Sequence, residues 1–215
     1  MFIMKRTSLM WILLFLTFMN LQAADEGPRM SEKTAAQLQE KMKKLPVYDT
    51  PASSKTEFDW LITPEKSKGG IYATPDRKSI VVANAMVART FRIFPNLATI
   101  DFVNRMNGES LLRAVSSEGT ISINGKVHSI GGLNGQPERA YIKNDWIEEL
   151  TTVPGSFLVE DFEVRPLEED IKWARKRWML NPQSPTGTEV VFSLRGEKEL
   201  ADVTVKLHVS VYDRI

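Results

Sequence analysis

Cysteine is absent from the 215 residues, and only two histidines, His128 and His208, are present. Without thiols neither disulfides nor a thiol-linked lipid can hold the chain, so its stability must come from a packed core. Two histidines without a paired spacing leave a zinc site to be assembled from scattered residues, and no metal or cofactor is expected. A surplus of one charge sign is missing as well: 28 Lys plus Arg stand against 27 Asp plus Glu. No net field draws such a chain to nucleic acid or anionic lipid. There is no Gly-x-Ser-x-Gly nucleophile elbow, no solenoid-length repeat and no low-complexity tract. What is present, 42% hydrophobic residues, indicates a globular chain rather than a disordered one.

The one long apolar run lies at the start. Lys5 and Arg6 precede an apolar core over residues 9–19, and Gln22-Ala23-Ala24 offers small residues before Asp25-Glu26. That core is short of the ~20 residues needed to cross a bilayer. The pattern reads as a signal peptide over residues 1–24, with a retained N-terminal anchor as the alternative. The expectation is an exported product, periplasmic or extracellular, with no stable membrane anchor after cleavage.

Residues 25–78 read as a helix and a surface-wrapping connection. Ser31 is a suitable N-cap, Ala35, Leu38 and Met42 follow at helical spacing, and Lys41, Lys43 and Lys44 suit the negative end of the dipole before Pro46 stops the helix. Pro51, Pro64, Pro75 and Gly69-Gly70 then punctuate polar sequence, which predicts a long connection anchored by Phe58, Trp60 and Ile62.

Residues 79–215 carry the strands. In residues 120–130, Ile121 and Ile123 alternate with polar residues, Asn124-Gly125 intervenes, and Val127 and Ile130 resume, which predicts a hairpin closed by a type I′ turn. Residues 79–83, 86–93 and 97–104 are further strand-like runs, with no helix-length segment between them. Residues 131–137 read as a flexible Gly-rich crossover, since they lack the Lys-Ser/Thr ending of a phosphate loop. A short helix over residues 144–150, capped by Asn144, and strands over 157–164, 189–194 and 203–211 complete the pattern. Residues 166–180 conflict: first-turn acids and late cations suit a helix, whereas period two suits a half-polar strand, and the all-β context favours the strand. The fold class is an all-β antiparallel β-sandwich, supersandwich-like and incomplete, preceded by a signal peptide and a short N-terminal helix.

Catalytic chemistry is thinly represented. Asp161 with Glu163, or Glu168 with Asp170, could be imagined as a glycosidase pair, but that pairing depends on separations across a cleft that sequence does not show, and solvated charge is the favoured reading. Trp173 and Trp178 beside Arg175 and Arg177 form a conceivable carbohydrate-binding platform, because sugar C–H faces stack on indoles while guanidinium groups bond hydroxyls; core or interface packing with the cations snorkelling past is the favoured reading.

From Ser79 onward the chain resembles the N-terminal, galactose-mutarotase-like β-supersandwich of large exported bacterial glycoside hydrolases of the α-galactosidase type. The likeness is carried by Ile80-Val81-Val82-Ala83-Asn84, by residues 87–93, by Ala98-Thr99-Ile100-Asp101, and by Met106-Asn107-Gly108-Glu109-Ser110-Leu111-Leu112-Arg113. It continues through the hairpin, Gly131-Gly132-Leu133-Asn134-Gly135-Gln136-Pro137-Glu138, and Val211-Tyr212-Asp213-Arg214-Ile215. Ala85 departs from the family's usual glycine. The resemblance implies a non-catalytic portion supporting a catalytic barrel normally in the same chain, with the catalytic acids beyond residue 215 and a glycan as ligand. It also favours a strand over residues 166–180. The alternatives are a stand-alone carbohydrate-binding or cell-envelope module, and a truncated reading frame without function.

Overall fold

The computed structural model describes residues 27–50, 55–59, 61–168 and 185–214. The expected signal peptide, Trp60, most of the ambiguous segment over 166–180 and the platform residues Trp173, Arg175, Arg177 and Trp178 lie outside the described residues.

Antiparallel sheets dominate, as the alternation in the sequence demands. One sheet has five strands in sequence order: β1 (Gly70–Ala73), β2 (Ser79–Ala83), β3 (Val87–Arg92), β4 (Ala98–Asn104) and β5 (Glu109–Ser110). The other has three: β10 (Leu158–Pro166), β11 (Gly187–Arg195) and β12 (Thr204–Tyr212). Two small ribbons lie between them in sequence. The first is the hairpin β6 (Gly119–Ile123) and β7 (Lys126–Ile130); the second pairs β8 (Leu133–Asn134) with β9 (Thr151–Thr152).

One core joins the two larger sheets. Ile71, Ile80, Val82 and Phe91 of the first, with Ile93 just past β3, pack against Val159, Phe162, Val190, Phe192 and Val211 of the second. Phe91 and Phe192 meet with ring centroids 5.3 Å apart and planes tilted by 47°, a geometry that avoids the repulsive face-to-face stack. The predicted alternation of the last strand is realised: Val205, Leu207 and Val209 are half-buried toward the core, while Lys206, His208 and Ser210 face out. Among the described residues β12 pairs only with β11, so it is an edge strand.

Helix α1 (Glu32–Lys43) forms as expected, with the Ser31 hydroxyl accepting from Thr34 N at 3.1 Å. Its apolar stripe inserts Leu38 and Met42 into the main core, both fully buried. The Arg77 guanidinium closes its C-terminal end, donating to Met42 O at 2.7 Å and Leu45 O at 2.8 Å. A cation on those orphan carbonyls answers both their hydrogen bonding and the dipole.

Four local readings need correction. The connection after α1 is not wholly irregular, because β1 forms within it, and Val47 bridges Ala73 beside that strand. One of its expected anchors also differs: Ile62 is exposed, whereas Phe58 is half-buried and Thr56 and Ser67 are tied in, Thr56 N donating to Arg105 O and the Ser67 hydroxyl accepting from Ala85 N. Asn144 does not cap the short helix; α2 (Asn144–Ile147) begins with it, and Lys143 holds the cap position without a side-chain bond. The Gly-rich crossover is pinned, with Gly131 N donating to Phe157 O at 3.2 Å and Gly132 N to Leu97 O at 2.7 Å.

The β6–β7 turn follows its sequence. Asn124 and Gly125 have φ of 51° and 78°, the two positive values a type I′ turn requires.

Candidate functional site

At the end of the sandwich that α1 covers lies a groove of about 840 Å³, within the size range of ligand sites. Five separate stretches build it: the segment before α1, α1 itself, the start of β2, the β3–β4 turn, and the α2–β9 junction. Arg92 stands at its centre. This side chain is only 7% exposed, and its Nη2 forks onto both Glu148 carboxylate oxygens at 3.0 Å each. Arg92 Nε donates to Phe94 O at 2.8 Å, which fixes the guanidinium plane. Lys78 Nζ reaches Glu148 Oε2 at 2.7 Å from the other side.

Glu148 is the C-cap residue of α2, where a carboxylate gains nothing from the helix, so the two cations are its electrostatic partners. The hydrogen bond from Lys78, joined by the charge and hydrogen bond of Arg92, outweighs burial and holds its carboxyl below the ordinary glutamate value. Asp76, behind Lys78, is likewise held low. Burial opposes this, but Thr74 Oγ1 at 2.6 Å and Lys78 N at 3.1 Å donate to it, and the same two cations lie near. The apolar wall is half-buried Phe94 with Pro95, joined by a cis peptide bond.

A second groove, of about 590 Å³, brings His128 on β7 near the Lys198–Leu200 turn and the Pro154-Gly155 turn. The His128 ring stands edge-on to Phe157, with centroids 6.3 Å apart. His208, the other histidine, lies on the outer face of the three-stranded sheet, its Nδ1 3.1 Å from Glu189 Oε1. Arg165 Nε donates to the other Glu189 oxygen at 2.6 Å. The histidines are therefore on separate elements, and among the described residues no group of three or more His, Cys, Asp or Glu side chains could hold a metal.

The carboxylates imagined as acid pairs are only partly within the described residues. Asp161 is ion-paired with Lys41 at 2.5 Å, Glu163 is exposed on the same strand, and Asp170 lies outside the described residues.

The opposite end of the sandwich is different in character. Asp59 ties down the residues that follow it as a self-bonded turn: Asp59 Oδ1 accepts from Leu61 N at 2.8 Å and Asp59 O accepts from Thr63 N at 2.9 Å. That turn holds Leu61 and Ile62 out in solvent, 71% and 77% exposed. Close in sequence, Ser67 O accepts from Arg214 N at 2.9 Å, and Asp213 accepts from Gly69 N at 2.8 Å and Thr186 Oγ1 at 2.9 Å. The turn and the end of β12 are thus brought to the same end of the molecule.

None of the groove residues was singled out by the sequence. The available signal was two arginines, Arg89 and Arg92, inside an apolar strand run. Each proves to be an anchor: Arg89 Nη2 pairs with the buried Glu118 at 2.5 Å, as Arg92 does with Glu148. No helix among the described residues is long and apolar enough to cross a membrane. Comparison with protein-family models, curated proteins and solved structures returns no match to this chain.

Proposed function

We propose that the chain is the non-catalytic sandwich portion of an exported carbohydrate-active protein of the glycoside hydrolase type, supporting a catalytic barrel that carries the reacting acids. The observation that carries this reading is the ordered Leu61–Ile62 turn. Two large aliphatic side chains held out in water by a hydrogen-bonded turn cost solvation that burial against a partner surface would recover. The turn sits where β12 finishes, so a barrel continuing from that strand would be delivered onto it. The incomplete supersandwich reading adds that the open edge of β12 is paired in the assembled protein.

Sequencing the DNA that adjoins this coding segment tests the reading. A contiguous frame for a barrel with paired carboxylates supports it, and a stop codon with no barrel in any neighbouring frame overturns it. In the assembled protein, Leu61→Asp with Ile62→Asp should lower aryl-glycoside turnover about tenfold, a loss of the size one disturbed contact surface produces. The urea midpoint of the isolated sandwich should stay unchanged.

A further inference from the structure

The two edges of the three-stranded sheet are finished differently. β10 carries a bulge between Val159 and Asp161, ends on Pro166, and has Lys41 Nζ donating to Phe162 O at 3.2 Å. Bulges, prolines and lysines are devices that stop an edge from recruiting a further strand. β12 has neither bulge nor proline: its nine residues pair with β11 in an unbroken register.

The bonds at its two ends fix which groups it leaves open. Gly196 N donates to Val203 O at 3.1 Å and Asp213 N to Thr186 O at 2.8 Å, so the odd-numbered residues of β12 direct their backbone groups to β11. Alternation then turns the N–H and C=O of Thr204, Lys206, His208 and Ser210 outward, and all four residues are exposed. Tyr212 points outward too, but its carbonyl accepts from Asn84 Nδ2 at 3.2 Å, which closes that end. The open stretch is therefore residues 204–210, centred on Leu207. On the core face Val205, Leu207 and Val209 stay half-buried, whereas Leu194, Phe192 and Val190 opposite them on β11 are fully buried.

We propose that a second copy of this chain pairs with that stretch, antiparallel about a twofold axis at Leu207, joining two three-stranded sheets into one. The stretch complements itself: Leu207 meets its own copy, Val205 meets Val209, Thr204 meets Ser210 and Lys206 meets His208. Every outward N–H and C=O from 204 to 210 is then answered, and the half-buried side chains gain apolar neighbours. Glu189, 3.1 Å from His208 Nδ1, sets a carboxylate beside the Lys206–His208 meeting. Centring the axis on Lys206 would bring two lysines face to face, and centring it on His208 would run Thr204 into the bond that Asn84 makes. The pairing names a partner for the β12 edge and holds whether or not a barrel adjoins the chain.

Sedimentation equilibrium on the full chain tests it, and a species of twice the monomer mass is expected. Lys206→Pro removes an outward N–H that β11 does not use, so it should leave the sheet folded and weaken association at least about tenfold. Because the chain has no cysteine, a single introduced one reports the register. Leu207→Cys would lie beside its own copy in a pair without mutual hydrogen bonds, about 4.5 Å between Cα atoms, and should cross-link under mild oxidation. Val205→Cys and Val209→Cys, each opposite the other position, should not. A monomer at every concentration, association unmoved in a folded Lys206→Pro, or cross-linking of Val205→Cys as readily as Leu207→Cys overturns the pairing. Should the proline unfold the chain, the cysteine series decides alone. None of these results bears on the supporting role, which the adjoining DNA decides.

Discussion

Asn96 gives the sharpest test of how the two sheets are joined. The residue is fully buried in the β3–β4 turn, and its amide uses both ends. Oδ1 accepts from Leu97 N at 2.9 Å and from Val159 N at 3.0 Å; Nδ2 donates to Phe157 O at 3.1 Å and to the Ser156 hydroxyl at 3.2 Å. One side chain thus fastens the five-stranded sheet to the start of β10. In Asn96→Ala, Phe157 O keeps the bond from Gly131 N, but the Leu97 and Val159 N–H groups lose the oxygen they share. Two buried donors left without an acceptor cost about 1–3 kcal/mol each, so about 2–6 kcal/mol in all. That is a large share of the ~5–15 kcal/mol that holds an ordinary domain folded. Asn96→Asp keeps the acceptor but sets a carboxylate oxygen against Phe157 O, so it should also destabilise. Ser156→Ala removes only the fourth bond and should cost about 1 kcal/mol. Urea denaturation followed by tryptophan fluorescence measures all three. A loss below about 1 kcal/mol for Asn96→Ala, at unchanged m-value, would refute the idea that this amide couples the sheets.

Two further outcomes follow from backbone and charge. Gly132 has φ of 106°, and a Cβ there would lie 2.9 Å from Ser117 Cα, whereas at Gly125, with φ of 78°, nothing lies within 4 Å. Gly125→Ala should cost about 1–2 kcal/mol for its left-handed backbone, and Gly132→Ala a further ~1–3 kcal/mol from crowding; equal urea midpoints for the two would contradict this. Glu189 and Asp213 are both held below their ordinary carboxyl values. Burial pulls each upward but is outweighed, by Arg165 and His208 at Glu189 and by the Gly69 N–H, Thr186 and Lys68 at Asp213. Because their folded-state values lie below the unfolded ones, this stabilisation is complete above the ordinary carboxylate range near pH ~4. It drains away as pH falls through the folded values. Stability measured against pH should therefore fall less steeply on the acid side in Glu189→Gln than in the parent, and parallel acid limbs would count against the assignment.

The parts of the fold written in local pattern could be read directly. The β6–β7 turn needs two residues that tolerate positive φ and has Asn124-Gly125, β12 alternates as a half-buried strand does, and β2 is a short apolar run buried along its whole length. β1 escaped notice because four residues beside Gly69-Gly70 carry too little pattern; its reason to exist is β2, which pairs with it along its whole length. Asn96 lies between two strand-like runs of the sequence, and only the approach of β10, about sixty positions on, makes it a structural joint. The groove was illegible for the same reason, since Lys78, Arg92 and Glu148 come together only when three separate elements have docked. The tryptophan and arginine segment that the sequence did offer as a platform, Trp173, Arg175, Arg177 and Trp178, falls outside the described residues.

The placement of α1 has a consequence for how the polypeptide matures. Leu38 and Met42 share their core with Val190 and Phe192, and Lys41 is salt-bridged to Asp161. A ribosome releases the helix long before it makes those neighbours, so a segment made early must wait for partners made late. Until then its apolar stripe is available to any chaperone that escorts the nascent chain, and the order of synthesis runs opposite to the order of closure.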